Sequence, residues 1–182
     1  MLIHDFQPGY REKHFLQYLR GMDNLVIRPI RPSDNMALAN IIRNTMAEFG
    51  VNKPGTVYYD ETTDHLHELF QKERCTYYVA EIDGLVVGGS GIFSSDGLPI
   101  QTCELVKMYL IPPARGMGLG KLLIERCLEF AKANGYRQVY LETMPELKKA
   151  VRVYEKFGFS HLVASLGNTG HFGCDVWMLK DI

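Results

Sequence analysis

Apolar residues alternate with polar ones in some stretches and recur every three to four positions in others, and the changes of period divide the chain into elements. Residues 25–30 read as a short strand. Ser33 and Asp34 then offer a helix N-cap, and Met36, Leu38, Ile41, Ile42, Met46 and Phe49 follow at helical spacing until Gly50. Residues 64–72 read as a second helix, with Leu66, Leu69 and Phe70 on its buried side. Two β-rich runs, 76–82 and 85–92, are joined by Asp83-Gly84, a strong hairpin signal. Gly88, Gly89 and Gly91 weaken the second run and predict a bulge or a close backbone approach. Residues 103–111 form the next strand, stopped by Pro112-Pro113.

A glycine-rich turn follows, then an amphipathic helix bearing Leu122, Leu123, Ile124, Cys127, Leu128 and Phe130, closed by Asn134-Gly135. A strand at 139–141, a helix at 146–157 closed by Gly158, and strands at 159–164 and 175–179 complete the pattern. A helix over 9–20 sits in what reads as an appendage of residues 1–24, ahead of one domain at 25–182. Helices, an antiparallel meander and a later β-α-β run together predict an α/β or α+β fold: a mixed, mostly antiparallel sheet with helices on both faces.

Composition narrows the partners. Of 182 residues, 46% are apolar, enough for a core, and the formal net charge is −1. Basic residues are scattered, so neither a nucleic acid nor a membrane surface is indicated. No apolar run approaches the ~20 residues that span a bilayer, and the first residues lack a signal-peptide pattern. The four cysteines (Cys75, Cys103, Cys127 and Cys174) form no C-x-x-C pair, and three of them lie in apolar surroundings, so buried free thiols and a cytoplasmic location are expected. His65 and His67, two apart on a helix, point in different directions, and no metal site is expected.

The chemistry concentrates at Arg115-Gly116-Met117-Gly118-Leu119-Gly120, where a strand ends and a helix opens. The first-turn amides of a helix lack intrahelical partners and sit at the positive end of its dipole, a ready anion site. Glycines let an anion approach the backbone, and Arg115 can reach it from the side. The spacing fits neither a Walker A loop nor the G-x-G-x-x-G fingerprint. It does match [RQ]-x-x-G-x-[GA] at every fixed position.

With that motif, the chain resembles the GNAT superfamily of acyl-CoA-dependent N-acyltransferases over about residues 25–179. A second segment, Ala150-Val151-Arg152-Val153-Tyr154-Glu155-Lys156-Phe157-Gly158-Phe159, is similar to the family's A-x-x-x-Y-E-K-x-G-F. The resemblance implies a GNAT fold, its sheet splayed at the cofactor site, and transfer of an acetyl group from acetyl-CoA to a primary amine. It implies that amides of Arg115 to Gly120, with Lys121, hold the CoA diphosphate, and that Met108, Tyr109 and Leu110 pair with the pantetheine arm. A backbone N–H near Tyr109 or Leu110 would polarise the thioester carbonyl, and Tyr154 would protonate the departing thiolate. Leu147 stands where the family often has asparagine, so Thr143 is the substitute cofactor contact.

The residues themselves leave alternatives open. Tyr154 shares a helix face with apolar neighbours and reads equally as a core tyrosine. Glu104 is the best candidate to accept the amine's proton, on a face expected to include Val106 and Met108; an edge glutamate is the plain alternative. Glu48, Tyr58 and His171 are candidate acceptor contacts, the last in a long loop, 167–173, able to fold over the acceptor. A small-molecule amine is the first acceptor class. A protein N-terminus or lysine is the second, and an acyl-CoA sensor without catalysis the third. A homodimer is compatible with the family.

Overall fold

The computed structural model describes residues 24–182. The helix expected at 9–20, and the appendage around it, lie outside the described residues. Seven strands make one sheet: β1 (Leu25–Pro29), β2 (Thr76–Ile82), β3 (Leu85–Phe93), β4 (Thr102–Leu110), β5 (Gln138–Thr143), β6 (Ser160–His161) and β7 (Val176–Asp181). Their spatial order is β1-β2-β3-β4-β5-β7-β6. All neighbours are antiparallel except β4 and β5. The helices are α1 (Asn35–Glu48), α2 (Leu66–Leu69), α3 (Leu119–Ala133) and α4 (Lys148–Lys156). Among the described residues, no helix is long and apolar enough to cross a membrane.

The strand pattern places helices on both faces. Leu38, Ile42 and Met46 of α1 pack with Tyr77, Val79 and Val106 on one side. Ile124 and Cys127 of α3, and Tyr154 of α4, pack with Ile92, Cys103 and Leu105 on the other. Cys103, Cys127 and Cys174 are buried and all four thiols are free. The glycines of β3 permit close contact, as their spacing suggests. A Cβ on Gly91 would lie 2.6 Å from the Phe70 ring, and one on Gly89 would overlap the ring of Tyr77.

Several expectations shift. The 64–72 helix shortens to α2 behind a 3-10 turn at Glu61–His65. The 159–164 strand reduces to two exposed residues. Asp34 does not cap α1 with its side chain. Its carboxylate takes both nitrogens of the Arg28 fork, at 2.7 and 2.9 Å, and the Arg31 amide. A buried bidentate pair outcompetes a single cap bond.

Two irregularities in β4 position the site. Gly89 faces Tyr109 but Gly91 faces Val106, so one extra residue is inserted in β4. It is Lys107, with φ +50, a β-bulge. The bulge reverses the alternation. Val106 and Tyr109 both face the α1 side, whereas Leu105 and Met108 face α3 and α4. The expected common face for Glu104, Val106 and Met108 is therefore corrected: Met108 lies on the opposite side. Tyr77 fixes the bulge, its hydroxyl donating to the Lys107 carbonyl at 2.8 Å. The second irregularity is a parting of strands. β4 and β5 pair at Thr102, Cys103 and Glu104 and then stop, although both continue.

Candidate active site

The glycine loop lies where β4 leads into α3. Gly116 and Gly118 have φ +80 and +84, and a Cβ on either would find nothing within 4 Å. Both are exposed, as is Met117. Gly118 caps α3 without a side-chain hydrogen bond. Leu122 is the first helix residue whose amide turns back, to the Gly118 carbonyl at 3.2 Å. The amides just before it are left for an external acceptor, so the loop fits a diphosphate. Leu119 is buried beneath it and Gly120 lies over Met108, whose Cε a Cβ would approach to 3.0 Å. Lys121 is exposed on the first turn and lies 3.6 Å from Glu125.

Arg115 does something the motif alone does not reveal. Its guanidinium grips Glu48 at the end of α1 through two bonds of 2.7 and 2.8 Å, and its Nε donates to the Leu110 carbonyl at 2.9 Å. The arginine ties the loop to α1 and to the end of β4. Its hydrogen bonds, opposed by partial burial, hold the Glu48 carboxyl below its ordinary range. Glu48 is thus engaged at the loop and does not join the acidic groups described below.

Where β4 and β5 part, a narrow wedge of about 40 Å³ opens, lined by Glu104, Tyr109, Glu142, Thr143 and Leu147 among others. Thr143 and Leu147 thus stand at the wedge, where Thr143 was expected to replace a missing contact. Tyr154, on α4, is buried in the α3 side of the core, and its hydroxyl points to the Met108 sulfur at 3.5 Å. Burial pushes its phenol well above the ordinary value, so it stays protonated. Met108 therefore bridges the Tyr154 hydroxyl to Gly120 of the loop.

A larger cavity of about 530 Å³ lies on the α1 side, with Tyr59, Asp60, Phe93, Glu104, Lys107 and His171 in its walls. Tyr58 lies behind Tyr59, partly buried against the α1-side core. The loop before β7 closes over this space. The Asn168 amide donates to the Asp96 carbonyl at 2.8 Å, and the Gly173 amide to the Gly55 carbonyl at 2.9 Å.

Glu104, Lys107 and His171 line both cavities. Glu104 is 3% exposed and accepts the Ser95 hydroxyl. Burial, with Glu142 nearby, pushes its carboxyl up to about 8, against the Ser95 bond and Lys107. Lys107 pairs with Asp60 at 2.8 Å. Burial holds its ammonium below the ordinary lysine value, opposed by that partner. Glu142 is raised by burial, against hydroxyls of Tyr140 and Thr169. One ligand atom each from Glu104, Glu142 and His171 lies within 4.8 Å of the other two, a donor set able to hold a cation. Sequence reasoning missed Glu142, Lys107 and Ser95. They come from three separate segments, and the one signal available was the strand alternation of β5, which turns Glu142 opposite to Leu141.

Comparison with known proteins gives the same family. Residues 40–159 match the acetyltransferase (GNAT) family. The chain is 40% identical over 158 residues to YjgM of Escherichia coli, an uncharacterized N-acetyltransferase, covering 86% of this chain and 95% of that one. It is 25% identical over 137 residues to an uncharacterized N-acetyltransferase of Schizosaccharomyces pombe, covering 75% and 83%. In fold it is similar to yncA from Salmonella typhimurium, solved with its cofactor acetyl-CoA, at TM-score 0.68 and 20% identity over 87% of this chain and 94% of that one. An acetyltransferase from Streptococcus agalactiae superposes at TM-score 0.75 with 19% identity, over 87% and 98%. The chain belongs to the GNAT acetyltransferase family and is an acyl-CoA-dependent N-acyltransferase.

Proposed function

We propose that the protein transfers an acetyl group from acetyl-CoA directly to the primary amine of a small molecule, where its two cavities meet. The observation that carries this reading is a meeting point: Glu104 stands at the last β4–β5 pair and lines both cavities. The 530 Å³ cavity, partly covered by the loop before β7, suits a small acceptor better than a protein chain, which needs a long open groove.

In this reading the glycines and free amides of residues 116–121 hold the diphosphate, the Arg115 amide being given to the Pro112 carbonyl at 3.2 Å. The unpaired side of β4 at Met108, Tyr109 and Leu110 receives the pantetheine arm, Thr143 faces it across the wedge, and the thioester reaches Glu104. The acceptor arrives as an ammonium ion. Glu104 takes one proton, which leaves through the open cavity to solvent. The neutral amine attacks the thioester carbonyl, forming the C–N bond. The C–S bond then breaks: Tyr154 protonates the thiolate, Glu104, emptied to solvent, takes the second amine proton, and a proton returned from solvent restores the phenol, so one proton is released overall. A carboxyl poised near the working pH is well matched to accepting the first proton. His171 lies beside the reacting nitrogen, and Tyr58 supports the cavity wall from behind Tyr59.

The test is thiol release from acetyl-CoA over an amine panel, with Glu104→Gln as the diagnostic variant. Release by the natural enzyme and loss in the variant, at unchanged acetyl-CoA affinity, supports the reading. Acetyl-CoA binding with no release for any acceptor favours a sensor, and release only with peptides favours a protein acetyltransferase.

A further inference from the structure

The charges around Glu104 do not balance. Two lysines reach the large cavity, and each already has a carboxylate: Lys107 lies 2.8 Å from Asp60, and Lys72 lies 3.7 Å from Asp96. Burial, together with the Lys107 charge, keeps the His171 ring below its ordinary value and therefore neutral at pH 7. Glu104 and Glu142 remain. Their hydrogen bonds come from hydroxyls alone, Ser95 to the first, Tyr140 and Thr169 to the second. Among the described residues no cation forms an ion pair with either. Two carboxyls this close, Glu104 buried and Glu142 partly so, do not both ionise readily without a positive charge between them.

We propose that Glu104, Glu142 and His171 seat the acceptor's ammonium group, and that the acceptor is a cationic amine with no carboxylate beside its reacting nitrogen. This rests on the placement of transfer at Glu104. A carboxylate two bonds from the nitrogen, as in a free α-amino acid, would lie within a few ångströms of the same two carboxyls. The lysines that could receive it are already matched, and His171 brings no charge. Further from the seat, the cavity turns to Tyr59, Phe93, Asn168 and Thr169, a wall suited to an aromatic, hydroxylated or second cationic tail. Diamines and decarboxylated amino acids fit this description, and free amino acids do not.

The experiment uses matched pairs that differ by one carboxylate: putrescine against ornithine, agmatine against arginine, tyramine against tyrosine. CoA release by the full chain is measured for each. The decarboxylated member of a turned-over pair should have kcat/KM higher by roughly tenfold or more, given like charges a few ångströms apart. Glu142→Gln should narrow that ratio, a result that a merely structural glutamate would not give. Equal rates within pairs, or preference for the free amino acids, would overturn the inference while leaving the transferase reading intact. No release from any member would overturn the small-amine reading and this inference with it. A preference that vanishes on chelation would assign the trio to a metal ion instead.

Discussion

The two halves of the site are built in opposite ways. The half proposed for the cofactor is one contiguous loop that presents main-chain amides, exposed and shaped by positive-φ glycines. The half proposed for the acceptor is an assembly of side chains: Asp60 before α2, Ser95 after β3, Glu104 and Lys107 on β4, Glu142 on β5 and His171 on the closing loop. A main-chain site tolerates changes in its side chains but not in its glycines. A side-chain site fails with one substitution. The first suits a ligand that every family member shares, and the second allows each member its own acceptor.

Substitutions should separate the halves. The largest effect is expected from Glu104→Gln, which removes the proton acceptor: turnover should fall by ~10²–10⁴-fold, with acetyl-CoA affinity unchanged by calorimetry. Tyr154→Phe should lower kcat by about a hundredfold, the low end for a lost proton donor, again without loss of cofactor binding; full activity would return Tyr154 to a packing role. Gly118→Asp acts on the other half. It places a carboxylate at the mouth of α3 and strains a residue at φ +84, so acetyl-CoA affinity should weaken by roughly tenfold or more while the fold, followed by circular dichroism, persists. The smallest effect is expected from Glu48→Gln. Its pair with Arg115 is partly exposed, with side-chain accessibilities of 40% and 29%, so stability should change by only about 0–1 kcal/mol, seen as a small Tm shift.

The Glu104 environment also predicts a stability trend. Its carboxyl is raised to about 8 in the folded chain, against ~4.3 for a free glutamate. Folding therefore binds this proton more tightly. The contribution is fully present below the unfolded value and is lost as pH rises through about 8. Glu104→Gln should flatten that decline in a pH series of urea midpoints.

The same contrast explains what the sequence makes legible. The 115–120 loop and the Tyr154 segment are local strings, readable because their residues act in chain order. The helix at 119–133, the Asp83-Gly84 hairpin and the glycine strand follow from period and turn chemistry, and they stand where expected. The bulge at Lys107 is different. One inserted residue moves Met108 to the other face, and no residue type around it demands that insertion; it is set by the register of β3 against β4 and by Tyr77 beneath. The trio of Glu104, Glu142 and His171 depends on that register, on the parting of β4 from β5 and on a loop returning from β6. Each member is an ordinary residue in its own segment. Their meeting is a tertiary fact.

The central claim is that chemistry occurs at the buried carboxyl where β4 and β5 part. It is tested most directly by kcat/KM against pH for the natural enzyme and Glu104→Gln, with the best amine from the panel. The account predicts a rate that climbs with pH and levels off above about 8 in the natural enzyme, and a variant that is slow and lacks that limb. A variant that keeps both the natural rate and the same limb would place the chemistry elsewhere.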